Sequence, residues 1–129
     1  MQLKLFIIVF ILIVLVSLLP GCQGEDSGLE IKLAPIHEVQ ISIAESFPEQ
    51  IFVHIKGGLA DSCTKFHDSA TELIGNTAEI EVTTERPIDA VCAQVYSFFE
   101  RNVNLGSDFT SGQTYTVDVN GIIETFVYP

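Results

Sequence analysis

The side chains with chemical potential are few: three cysteines, three histidines, and 17 carboxylates against six lysines and arginines. Cys22, Cys63 and Cys92 are an odd number, so at least one needs a fate other than an intrachain bridge. His37, His54 and His67, with a carboxylate such as Asp68, have the donor types for a metal. Their spacings match no metal signature. Ser62, Ser69 and Ser97 are available hydroxyls, but no nucleophile elbow surrounds any of them. No glycine-rich phosphate loop occurs. Glu79 and Glu81 share one face of a strand, which fits a solvated face better than acid–base work. The inventory points away from catalysis, a resident metal or a cofactor, and toward binding.

The position of Cys22 sets where that binding would take place. Met1 to Lys4 form a short basic start. Leu5 to Leu19 are apolar apart from Ser17, a run of about 15 residues that suits the core of an export signal. A membrane-spanning helix needs about 20. Leu19-Pro20-Gly21-Cys22 resembles the bacterial lipobox, in which the cysteine is acylated and becomes the first residue of the mature chain. Gln23 follows it, so the resemblance carries no aspartate retention signal. The same residues also fit an ordinary secretory leader that leaves Cys22 as a thiol. The expected organisation is a signal peptide over 1–21, a flexible tether over 22–34 and one domain over 35–129. The lipid-anchor reading makes membrane lipid a partner through Cys22 and places the domain outside the cytoplasm, on a bacterial cell envelope.

Export puts Cys63 and Cys92 in an oxidising compartment, where a pair of this kind normally bridges. Metal ligation and thiol chemistry are the alternatives, and neither cysteine lies in a Cys-x-x-Cys pair. The formal net charge is −11. Such acidity argues against nucleic acid and against anionic lipid surfaces as partners.

The elements that would position these residues are short strands. Val39, Ile41 and Ile43 alternate with polar or small residues, as do Ile51, Val53 and Ile55, which run into Gly57-Gly58. Phe66 to Ile74 is a weaker strand, with a helical leaning at Ala70 to Leu73. Ala78, Ile80 and Val82 alternate with Glu79, Glu81 and Thr83. Val91, Ala93 and Val95 read as a central strand carrying Cys92, and Val103 and Leu105 as a short one. Tyr115, Val117 and Val119 lead into Asn120-Gly121, a strong hairpin signal because both residues tolerate positive φ. Ile123, Thr125 and Val127 close the chain. Seven or eight short strands at this spacing predict an all-β, antiparallel immunoglobulin-like sandwich.

Several segments together carry a family resemblance. They are Gly58-Leu59-Ala60-Asp61-Ser62-Cys63-Thr64, Gly75-Asn76-Thr77, Cys92-Ala93-Gln94-Val95, Phe99-Glu100-x-Asn102-Val103-x-Leu105-Gly106 and Gly112-x-x-Tyr115-Thr116-Val117-x-Val119-Asn120-Gly121. The set is similar to small exported bacterial domains, often lipid-anchored, with an immunoglobulin-like sandwich. The resemblance covers roughly Pro35 to Tyr128. It implies the fold and a Cys63–Cys92 disulfide, and it implies no catalytic residues.

Sandwich domains commonly bind through end loops. The loops expected to do so are Ala60–Thr64, Thr84–Asp89 and Gly106–Gly112. The candidate contact residues are Asp61, Arg86, Phe98, Phe99 and Phe109, with Tyr96 beside them; Phe98 or Phe99 capping the core is the competing reading. The first expectation is a lipid-anchored extracytoplasmic binding module for another envelope or extracellular protein. The second is an exported proteinase inhibitor.

Overall fold

A computed structural model describes residues 28–129. The signal-peptide and lipidation expectations, Cys22 included, lie outside the described residues, as does the first part of the expected tether. Eight strands follow in order: β1 (Leu29–Leu33), β2 (Ile36–Ala44), β3 (Gln50–Leu59), β4 (Lys65–Ile74), β5 (Thr77–Pro87), β6 (Ser97–Gly106), β7 (Thr114–Val119) and β8 (Ile122–Val127). They form two sheets: β2-β3-β6, and a second one built on β5 with β4, β1, β7 and β8. The fold is an all-β sandwich, and the described residues contain no helix. Every pairing is antiparallel except β5 with β7, which run parallel through Thr77–Ile80 and Thr116–Val119.

Alternation builds the core. Ile51, Val53 and Ile55 point inward from β3 and meet Ala78, Ile80 and Val82 of β5 and Val117 and Val119 of β7, all buried. Their partners in the alternation face outward, as the period of two requires.

Two strands share one edge of β5. β1 pairs with its second half and β7 with its first. Asn120 fills the joint between them. Its Nδ2 donates to Val82 O at 2.7 Å and to Ala34 O at 2.9 Å, and its Oδ1 accepts from Val82 N at 3.0 Å. The carboxamide therefore satisfies Val82 much as a neighbouring strand's peptide would. Asn120 holds φ at 49° and Gly121 at 92°, the conformation of the Asn-Gly hairpin turn.

Two expectations need correction. Leu29–Leu33, placed in the tether, is strand β1, and the following Ala34 is buried in the core. Its alternation runs opposite to the usual one: Ile31 and Leu33 are exposed, while Glu30 and Lys32 pair with each other at 3.0 Å. The second concerns Val91 to Tyr96, which is an irregular segment and no central strand. Pro87 ends β5, and the segment that follows is tied to a turn instead of a ladder, leaving Val91 and Val95 exposed.

Candidate binding surface

Asp61 and Arg86 meet at one end of the sandwich. Asp61 is buried in the turn after β3. Its Oδ1 accepts from the backbone N–H groups of Cys63 (3.0 Å) and Thr64 (2.9 Å) and from the Thr64 hydroxyl (2.8 Å). Its Oδ2 accepts from Arg86 Nε at 2.7 Å. These donors, the arginine first, hold its carboxyl down at about 2. The guanidinium is spent on the same region, donating also to Pro87 O, Ala90 O and Cys92 Sγ.

Cys63 and Cys92 are joined in a disulfide. Beside it Ser62 N donates to Ala93 O, and Ala93 N to Ser62 Oγ. Asp61, Cys63 and Cys92 have metal-ligand atoms close together, but both sulfurs are consumed by the bridge. The cluster is a clamp. It fastens the turn at 60–64, the end of β5 and the segment after it. Thr84–Asp89, expected as a loop, belongs to β5 up to Pro87.

The aromatic candidates divide. Phe99 is buried, and its ring lies against Gly57, where a methyl group would overlap it. Phe109 folds inward onto Tyr115, Phe126 and Tyr128, with ring centroids 4.8 to 5.5 Å apart. Phe99 therefore caps the core, the competing reading of the sequence, and Phe109 does not present the exposed contact expected of it. Phe98 does, with about half its surface free.

Phe98 lies on the outer face of the β2-β3-β6 sheet, opposite Gly58. Tyr96 folds over Gly58, and a methyl there would overlap its hydroxyl. The pair Gly57-Gly58 thus continues β3, where the sequence suggests an end, and seats one aromatic ring on each side of the strand. His37, the extra residue of a bulge in β2, packs edge-on against both Tyr96 and Phe98, and its Nε2 lies 2.5 Å from the tyrosine hydroxyl. Lys56 Nζ stands 4.8 Å from the Phe98 ring centroid, a cation–π brace. Tyr96, Phe98 and His37 form an exposed aromatic platform.

Next to it, side chains link across the three strands. Asn102 Oδ1 accepts from His54 Nδ1 at 2.5 Å, which leaves Nε2 to accept from the Ser42 hydroxyl at 2.8 Å. The order resembles a hydrolytic triad. Backbone N–H groups of paired strands lie in the plane of the sheet and aim at the neighbouring strand, whereas an oxyanion needs donors aimed at it. A groove of about 290 Å³ runs along these side chains, lined by Glu38, Gln40, His54, Lys56, Glu100 and Asn102, with Ile55 and Arg101 completing its wall.

The three histidines remain apart in role. His54 and His37 serve this face, and His67 pairs with Glu85 at 2.9 Å on the other sheet. Sequence reasoning passed over the Ser42–His54–Asn102 chain because it depends on register. Gln40, His54 and Asn102 stand opposite one another only once both ladders are aligned.

Two sheets packed over one core define the class, a β-sandwich domain. A family model described as the ORF11 beta-sandwich domain matches residues 53–128, and the chain belongs to that family. The match begins in β3 and runs to the end of the last hairpin. The chain is also 44% identical over 89 residues to the "Uncharacterized 10.2 kDa protein in HgiCIIM 5'region" of Herpetosiphon aurantiacus, covering 69% of this chain and 94% of that protein. It is 43% identical over 79 residues to the similarly described proteins of the HgiBIM and HgiEIM 5' regions in the same organism, covering 61% of this chain and 95% of each. No solved structure matches.

Proposed function

We propose that this protein is a lipid-anchored, extracytoplasmic binding module whose contact surface is the outer face of the β2-β3-β6 sheet. One observation carries the reading: the platform of Tyr96, Phe98 and His37 lies exposed beside a groove of polar side chains. Tyrosine is among the residues enriched where binding energy concentrates, and large exposed rings become anchors once a partner covers them. The clamp residues have no comparable freedom, because Asp61 and Arg86 are saturated by internal partners. The inhibitor reading asks for a projecting end loop. Asp61 ties down the turn at 60–64, and Phe109 turns the loop after Gly106 inward.

The anchor rests on the sequence Leu19-Pro20-Gly21-Cys22 after an apolar run. Three acyl chains on such a cysteine exceed the two signals that stable attachment needs. In fractionated cells the full-length protein is expected in the membrane fraction, and Cys22→Ser in the soluble one. Equal membrane association of both proteins would overturn the anchor. The contact surface is tested separately, by photo-cross-linking from position 98 in whole envelopes. A specific adduct is expected there and none from position 81, on the opposite sheet.

A further inference from the structure

The two outer faces of the sandwich differ in charge. On the β5 sheet Glu72, Glu79 and Asp118 stand in one row across three adjacent strands, and Asp68, Glu81 and Glu85 point the same way. This face repels anions. The face of the β2-β3-β6 sheet is built otherwise. Along β3 its rows are Gly58 with Phe98, then Glu38-Lys56-Glu100, then Gln40-His54-Asn102, then Ser42-Phe52-Asn104. Lys56 sits between two glutamates, and the remaining polar groups are amides, a hydroxyl and an imidazole. In a chain of formal charge −11, the face that carries the aromatic platform is close to neutral.

Its polar groups are held in place. Asn102 and Ser42 are tied to His54, Asn104 Nδ2 donates to Gln50 Oε1 at 2.9 Å, and Gln40 Nε2 donates to Glu38 Oε1. Among the described residues Asn102 Nδ2 and Gln40 Oε1 have no partner of their own. One is a donor and one an acceptor, on either side of His54. Such a mixture suits groups that donate and accept at once, and the hydroxyl is that group. A polyol also has apolar C–H surfaces, and these lie well on the faces of Phe98 and Tyr96. From the Gly58 row to the Phe52 row the face runs about 20 Å at the usual rise per residue, long enough for an extended chain instead of a single small molecule.

We infer that the ligand of this face is a neutral glycan laid along β3, its sugar rings stacked on Tyr96 and Phe98 and its hydroxyls bonded to Asn102, Gln40 and Ser42. The inference rests on the binding reading above and narrows it. Specificity comes from the fixed amides and affinity from the aromatic rings. Salt has little influence, since no charge pair is formed.

The test uses full-length protein in detergent micelles against immobilised neutral oligosaccharides (glucose, mannose and N-acetylglucosamine polymers), with anionic polysaccharides alongside. Binding to at least one neutral polymer is expected, unchanged when salt is raised. Phe98→Ala and Asn102→Ala should each weaken it by about tenfold or more, as loss of a central anchor does. Glu79→Gln, on the opposite sheet, should leave it unaltered. Silence across the neutral polymers, preference for the anionic ones, or equal binding by Phe98→Ala overturns the inference. A protein adduct cross-linked from position 98 with no glycan bound would preserve the binding surface and assign it to a protein. Neither adduct nor glycan would remove both readings.

Discussion

The clamp at Asp61–Arg86 and the platform at Tyr96–Phe98 lie close in the chain and end in opposite roles. Both sit beside the segment after β5, and both join a cation to an acceptor or a ring. In the clamp every strong donor and acceptor is used internally: four contacts reach Asp61, and the guanidinium has four acceptors. In the platform the rings brace one another and keep about half of each exposed. Residue type alone does not decide between structure and recognition, since Phe99 is buried and Phe98 exposed. What separates them is whether the bonding capacity is already spent. Clamp substitutions should therefore change stability, and platform substitutions should change binding.

The largest expected effect is on the clamp. Replacing Cys63 and Cys92 together with serine opens a loop of 29 residues, which costs roughly 3–4 kcal/mol by the chain-entropy relation. Urea unfolding of the full chain would show it as a lower midpoint. The platform's ligand binding, measured well below that midpoint, should survive. Next comes Asp61→Asn. The Asp61 carboxyl sits at about 2, below its ordinary 3.8. Its stabilising contribution is thus complete above pH ~4 and lost as pH falls toward 2. Thermal midpoints of wild type and Asp61→Asn should differ most near neutrality and converge by pH 2. A gap that stays constant with pH would remove Asp61 from the clamp's electrostatics. The smallest stability effect belongs to Gly58→Ala. Its new methyl meets the Tyr96 hydroxyl on the open side of the strand, so the tyrosine can swing away at a cost of roughly 1 kcal/mol. Binding should fall much further than stability, read by titration calorimetry.

Much of this was legible in the chain. Ile51-Val53-Ile55 and Ala78-Ile80-Val82 alternate cleanly because β3 and β5 each bury one face, whereas Val39-Ile41-Ile43 of β2 goes from buried at Val39 to exposed at Ile43. Asn120-Gly121 marks its hairpin because few other dipeptides accept that backbone. Phe66–Ile74 is faint for a physical reason: β4 lies at the sheet edge with most residues exposed, so its pattern is weak, yet it pairs with β5 along its length. Val91–Tyr96 misled in the opposite way. Its alternation imitates a strand, but the clamp holds the segment to a turn at 60–64. β1 was hidden because its apolar residues face solvent and its charged ones line the rim of a cleft of about 400 Å³. The candidate site was the least legible part. Phe98 could be named from the run of aromatic residues Tyr96, Phe98 and Phe99 beside a loop. Its neighbours His37 and Lys56, and the Ser42–His54–Asn102 chain, come from other strands and appear only when register is known.

The most direct test of the division between clamp and platform is a paired measurement on the Tyr96→Ala, Phe98→Ala double variant. Its unfolding free energy and its binding to the immobilised neutral oligosaccharides would be read on the same preparation. An unfolding free energy within about 1 kcal/mol of wild type, as for exposed side chains, is expected together with loss of binding. A variant that loses several kcal/mol of stability, or that binds as wild type does, would contradict that division.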